Sequence, residues 1–415
     1  MLAMWTMLKD RRMLFLIIAN ILSSIGSGVT MIGVPWMLVN RAGGDQIYGY
    51  ATLVSTIVLF MLSPQIGVYI DRISRKKLLL LSEVLGGTVT LAFAIWGLVL
   101  GHFETWQLIV VYFSGSLYYN VHFPTQFAFT QEIFTKEQYK TLNSMLEVQN
   151  QSTSMIAGGL ASLLVDHIEF AWILLADAMT YFIGFGLFLF IPYKASQAVA
   201  VTRSGSMWSN IAEGYHYLKT KPLFVLFFIG ALMPFLCVMA GNYLFPVYIT
   251  SVLHGGASVM GSADMIFAIG AVIAGLTIPW LMQRIGSYAA TITAFVTFSV
   301  SIALFYTFPL IGIYLGFKSL NGWGNAGSRI ARNTILMEMV PNHLIGRVNS
   351  FFNTVGMGLR VVLIAACTQI VAHQGARAAL LMLGGLLLIS FIGVISSRSL
   401  FAKKTAAAAH QAVSQ

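Results

Sequence analysis

Lys318, Asn321, Asn325, Arg329 and Arg332 recur at intervals of three and four inside one apolar run, which places all five on a single helical face. Asn349, Asn353, Gly356 and Arg360 do the same in the next run. Lys318 and Arg360 stand well inside their runs. An ionisable group near the centre of a bilayer costs about 2.5–3.5 kcal/mol on insertion scales, so it faces a cavity or a partner. Two such cations suit an anionic cargo, because a guanidinium can grip a carboxylate bidentately.

The acids that could answer them are Asp264, Glu147 and Asp177. Carboxyl proton affinity rises in a low-dielectric site and falls beside a cation, so changing surroundings could load and unload a proton. All three are therefore proton-coupling candidates, and Asp264 is the expected partner of Lys318 or Arg360. A static ion pair that holds helices together is an equally good reading of Asp264, and Asp177 leans structural. Softer polarity marks the first half. Asn20, Ser23, Ser27 and Thr30 form one face, Tyr119, His122 and Gln126 another, and Asn242 and Tyr243 follow Pro234. These faces read as walls of an amphipathic cavity, with His122 a hydrogen-bonding wall residue.

The elements carrying these residues must lie in a membrane. The 415 residues are 57% hydrophobic and 9% charged, against roughly 25% charged in a soluble domain. At about 20 apolar residues per crossing, twelve spans fit: 13–39, 46–70, 78–100, 106–130, 144–165, 170–191, 223–250, 258–282, 288–308, 310–334, 348–372 and 378–397. The first run is too long for a signal peptide, and Cys237 and Cys367 sit in apolar segments that imply no disulfide. The net charge of +10 is distributed by topology. Nearly every Lys and Arg outside the spans falls on one side, with Arg41 and Arg377 on the other, so both termini are expected in the cytoplasm and no nucleic-acid partner is implied.

The densest early charge is the hairpin G-V-Y-I-D-R-I-S-R-K-K, Gly67 to Lys77. Internal repetition is a second strong signal. Gln131–Ser144 aligns with Met337–Ser350, pairing Glu132 with Glu338, Asn143 with Asn349 and Ser144 with Ser350, and Gln283-Arg284-Ile285-Gly286 is a decayed copy of the Asp-Arg hairpin.

The hairpin resembles the loop between helices 2 and 3 of major facilitator superfamily transporters. Pro124, Glu132 and Asn143, echoed by V-P-N-H-L-I-G-R-V-N-S (Val340 to Ser350), and the opening S-S-I-G-S-G-V-T-M-I-G-V-P-W are similar to the enterobactin-exporter and macrolide-efflux branch. The resemblance implies an all-α membrane protein of twelve transmembrane helices in two pseudo-symmetric six-helix bundles, 1–192 and 223–400. A cytoplasmic linker at 193–222 carries an amphipathic helix over Trp208–Leu218, and a disordered tail covers 401–415. It also implies a substrate site between the halves and a gating motif of Gly67, Asp71, Arg72 and Arg75. There Gly67 permits close helix approach, Asp71 caps a helix N-terminus and the arginines complete an ion-pair latch. The sequence departs from the antiporter pattern in helix 5, where Gly158-Gly159 lacks the accompanying proline, and in helix 4, which lacks the usual arginine.

The expected function is secondary transport by alternating access in a bacterial inner membrane, with no enzyme activity, cofactor or metal, in a chain acting as a monomer. The expected cargo is a carboxylate-type siderophore, exported against protons. Substrate-binding candidates are Lys318, Arg360, Asn321, Asn325, Asn353, Tyr119, His122, Gln126 and Ser27. Macrolide or multidrug efflux and uptake of the iron-loaded siderophore are the alternatives. No nucleophile elbow and no phosphate-cradling loop occurs in the chain.

Overall fold

A computed structural model describes residues 9–135, 138–193 and 207–401. The side chains of Asp71 and Glu147, much of the expected linker and nearly all of the expected tail lie outside the described residues. The described chain is helical almost throughout: α1 Arg11–Val39, α2 Gly44–Arg72, α3 Arg75–Leu100, α4 Thr105–Ile133, α5 Tyr139–Leu164, α6 Phe170–Phe190, α7 Met207–Leu218, α8 Pro222–Ser251, α9 Ala257–Thr307, α10 Ile311–Met339, α11 Asn342–Gln374 and α12 Ala376–Ser396. Two compact units form, one of Met1–Thr202 with His254–Ala268, the other of Arg203–Leu253 with Ile269–Gln415.

Helix ends run past the apolar windows, as in α5, α10 and α11. A window stops where bilayer thickness no longer demands apolar side chains, whereas a helix stops only at a cap or breaker. The 51 residues of α9 would span roughly 76 Å, more than twice a hydrocarbon core. Gly286 resolves this with φ 84° and ψ 158°, a conformation open essentially to glycine alone, so α9 is two membrane-length arms.

Eight described helices are long and apolar enough to cross a membrane. The long helices that fall short, α4, α5 and α10, are those with the densest polar faces. Large apolar side chains face outward, among them Val99, Leu276 and Ile392, as lipid contact requires. Where lipid replaces water, helices gain by packing closely rather than by excluding water.

In the first unit α1 packs on α5 and α6, and α3 on α4 and α6. Met13, Leu16, Leu79, Phe129 and Phe188 close one end of this bundle. In the second unit α8 packs on α10, α11 and α12. Ala274, Ile278, Ala294, Ala326 and Ala331 form a small-residue seam that lets helices approach. The amphipathic α7 docks on α11: Arg347 pairs with Glu213 at 2.5 Å, and Tyr215 packs on Phe351.

The start of α1 is tied twice. Asp10 accepts from the Arg12 backbone N–H at 2.8 Å and from its guanidinium at 2.7 Å, while Arg12 also reaches the Ile133 carbonyl. The Arg12 hydrogen bond holds the Asp10 carboxyl below the usual value of 3.8. Asp10→Ala is expected to cost about 1 kcal/mol at neutral pH, the scale of a lost N-cap. A group with a depressed folded pKa contributes above its unfolded pKa and loses that contribution as pH falls through the folded value. The unfolding-temperature gap between parent and variant should therefore narrow below pH 3.8, and a pH-independent gap would refute the assignment.

Candidate functional site

The polar faces of α1 and α4 meet in the first unit, joined by α3 and α6. Ser27 bonds Tyr119 at 2.9 Å, and Thr30 donates to Asp177 at 2.7 Å. His122 Nε2 lies 3.1 Å from Asn20 Oδ1. At the centre is Glu83 of α3, fully buried, which accepts from Ser23 and from Tyr118, each at 2.9 Å. Its Oε1 stands 3.4 Å from His122 Nδ1. Gln126 is buried on the same helix, while Tyr119 is half-buried and stacks on Phe123. Asp177 is buried, and Asp264 is exposed on the first arm of α9.

Glu83, Ser82 and Tyr118 were not among the residues singled out from the sequence. The signal was present, since an acid inside an apolar run meets the same criterion that marked Lys318. Beside this network, Tyr69, Ser82, Ser114 and Tyr118 supply the few polar side chains of an otherwise apolar cleft of about 290 Å³ within α2, α3 and α4.

In the second unit Lys318 is 3% exposed. Its ammonium lies 3.6 Å from the Phe245 ring centre and 4.9 Å from that of Tyr314, and donates to the Tyr314 hydroxyl at 3.0 Å. Phe305 completes the aromatic surround. Aromatic faces stabilise a desolvated cation by about 2 kcal/mol. Asn321 is buried and donates to Ser301, and Asn325 is buried one turn on. Arg332 reaches the Ala231 carbonyl. Arg360 is half-buried on α11, and Asn353 and Asn242 are exposed.

Two of the hairpin cations, Arg75 and Lys76, bind within the first unit. Arg75 pairs with Glu132 at 2.5 Å and approaches the Ala128 carbonyl at 3.3 Å. Lys76 donates to the carbonyls of Leu189 and Ile191 at the end of α6, as cations at helix C-termini do. Tyr193 donates to the other Glu132 oxygen at 2.6 Å, and burial together with that carboxylate pushes its phenol pKa up. Helix 4 thus supplies an acid to the hairpin where the family pattern has an arginine. In the second unit Glu338 accepts from Ser287. Ser287 stands four residues after Gln283 as Arg75 does after Asp71, so both repeat-related glutamates hold the equivalent hairpin position. Arg72 and Gly67 are exposed, and a methyl added at Gly67 meets no described atom within 4 Å.

Comparison with known proteins agrees with this architecture. The Major Facilitator Superfamily profile matches residues 16–357 and 235–411. Macrolide efflux protein A of Streptococcus pyogenes is 24% identical over 280 residues, and the match covers 64% of this chain and 64% of that relative's length. Multidrug efflux pump Tap of Mycolicibacterium fortuitum is 19% identical, covering 82% of this chain and 84% of the pump. Among solved structures, a bacterial homologue of the iron transporter ferroportin superposes with a TM-score of 0.72 at 18% identity, covering 93% of this chain and 98% of its own. A nucleoside transporter, NupG, superposes at 0.70 with 15% identity, covering 94% and 100%. Hairpin, helical architecture and profile converge: the chain belongs to the Major Facilitator Superfamily.

Proposed function

We propose that this protein is an efflux carrier for amphipathic organic molecules in a bacterial cytoplasmic membrane. It works as a monomer by alternating access, with twelve crossings (the two arms of α9 counted separately) and both termini in the cytoplasm. The bundles correspond to residues 1–192 and 223–400, joined by a linker over 193–222. Two relatives are named for efflux, of macrolides and of multiple drugs, which supports the outward direction.

The observation that carries the choice of cargo is the setting of Lys318. Its ammonium is already engaged by Tyr314 and the Phe245 ring and is almost fully buried, so it is poorly placed to grip an incoming carboxylate. The half-buried Tyr119, with its hydroxyl and aromatic surface, suits a mostly apolar ligand with a few polar groups, whereas Ser27, Gln126, Asn321 and Asn325 are buried. A carboxylate-type siderophore is the second reading, favoured by the half-buried Arg360, whose guanidinium has the geometry for such a group.

Expression in a drug-hypersensitive host should raise the inhibitory concentration of erythromycin several-fold over an empty vector and lower its accumulation in energised cells. Unchanged susceptibility, together with siderophore retention inside a deletion strain, would replace this reading with the second.

A further inference from the structure

We propose that Glu83 and His122 form the proton-binding site through which this carrier draws on the proton gradient. The inference rests on the efflux reading above and deepens it. Both groups are buried, Glu83 at 0% and His122 at 3% exposure, and nothing in the transport of an amphipathic cargo requires an acid and an imidazole sealed inside the first unit.

The hydrogen bonds define what the pair can do. The Ser82 hydroxyl gives its proton to the Leu79 carbonyl at 2.7 Å, so towards His122 Nδ1, 3.3 Å away, it presents a lone pair. Glu83 Oε1, 3.4 Å from the same nitrogen, is a second acceptor. Nδ1 therefore faces acceptors alone and is best served by carrying a hydrogen. On the far side of the ring, Nε2 faces the Asn20 carbonyl oxygen, and the Asn20 amide nitrogen has no hydrogen-bond partner among the described residues. With Asn20 in this orientation Nε2 also faces an acceptor, which suits a ring carrying a hydrogen on both nitrogens. Turning the amide by half a revolution would point its NH2 at Nε2, which suits a neutral ring. Asn20 can thus serve either protonation state without any helix moving.

Loading is a simple transfer. A proton taken from water forms an N–H bond on His122 or an O–H bond on Glu83, and the buried pair becomes net neutral. Release breaks that bond and returns the proton to water on the other side, leaving carboxylate and imidazole. Ser23 and Tyr118 hold the Glu83 oxygens in either state, because each donates to one of them. The other titratable groups around the pair come from α4 and α6. Tyr118 stacks on the His122 ring with centroids 4.7 Å apart, Tyr181 packs edge-on against Tyr118, and Asp177 is bound to Thr30. The face of α1 contributes Asn20, Ser23, Ser27 and Thr30, none of which titrates. Tyr119, half-buried and bonded to Ser27, lies on the more open side of the network.

The test uses the full chain in proteoliposomes, with erythromycin as probe, and compares parent, Glu83→Gln and His122→Gln. Uptake driven by an imposed pH gradient is measured beside counterflow, in which labelled and unlabelled probe exchange without a gradient. Purified protein is also followed by infrared difference spectroscopy between acid and alkaline buffer. Glu83→Gln should lose gradient-driven uptake while keeping counterflow, and should lose one protonated-carboxyl band that Asp177→Asn retains. His122→Gln should lose the gradient response too, and decides the matter should Glu83→Gln not fold. Gradient-driven uptake at the parent level in a folded Glu83→Gln or His122→Gln protein would overturn the proposal. So would a parent spectrum in which neither a carboxyl band nor an imidazole band changes with pH. A parent protein that moves no probe in either mode would sink the efflux reading instead, and the infrared bands would still decide whether the pair binds a proton.

Discussion

Gly158→Ala should unfold at a lower temperature than the parent and transport poorly, although alanine is the better helix former by about 1 kcal/mol. The expected reversal comes from a backbone-to-backbone crossing in the first unit. A methyl on Gly158 would lie 2.7 Å from the Gly261 carbonyl oxygen and 2.8 Å from the Met265 nitrogen. A methyl on Gly261 would press still closer on the Gly158 oxygen and the Ser162 nitrogen. A side chain can rotate away from an intruding carbon, but a helix backbone cannot, so α5 and the first arm of α9 would have to separate. Overpacking of this kind costs about 1–3 kcal/mol and occasionally more, enough to outweigh the propensity gain. Gly159→Ala is the control, because its methyl would meet only the Met265 sulfur at 3.3 Å, the flexible part of a long side chain. Thermal unfolding in detergent and probe flux of both variants decide the point. A Gly158→Ala protein as stable and active as the Gly159→Ala protein would show that the crossing is not tight. This crossing also gives a role to Gly158, the first glycine of the pair that departs from the antiporter pattern.

Removing either member of the Arg75–Glu132 pair should have the second large effect. The side chains are 25% and 14% exposed, between the surface pairs worth about 0.2–1 kcal/mol and the buried pairs whose disruption costs about 3–5 kcal/mol. A loss of about 1–3 kcal/mol for Arg75→Ala or Glu132→Ala follows from that position between the two cases. Arg75→Ala leaves Glu132 with the Tyr193 hydroxyl, while Glu132→Ala leaves both Arg75 and Tyr193 without the carboxylate. In a double-mutant cycle the two substitutions should fall short of additivity by a large part of either one. Additive losses would mean that the two side chains act independently and that the pair contributes little.

This pair shows how far the repeat could be read from residues alone. Glu132 and Glu338 were matched by their place in the duplicated segment, and both turn out to hold the same hairpin position, through Arg75 in one unit and Ser287 in the other. The partners themselves were not legible. The resemblance implied a latch completed by Arg72 and Arg75, and spacing did not foretell that Arg75 would bind Glu132 or that Lys76 would bind the carbonyls ending α6. Likewise the faces holding Ser27, Thr30, Tyr119 and His122 were visible as spacings, but Glu83 and Tyr118, which join them, were not. Tyr118 precedes Tyr119 on the helix and points to a different neighbour, a matter of helix rotation that spacing does not specify.

Apolar run length, the duplication and the hairpin motif were enough by themselves to point to a membrane protein of this superfamily. Those properties are local, because bilayer thickness and loop charge act on each segment separately. Tertiary structure alone decided which buried groups meet: Glu83 with His122, Lys318 with Phe245 and Tyr314, Arg75 with Glu132. The reason is geometric, since helix rotation and crossing distance are set by small residues in the contacting surfaces, and a change of either carries an entire polar face to a new partner.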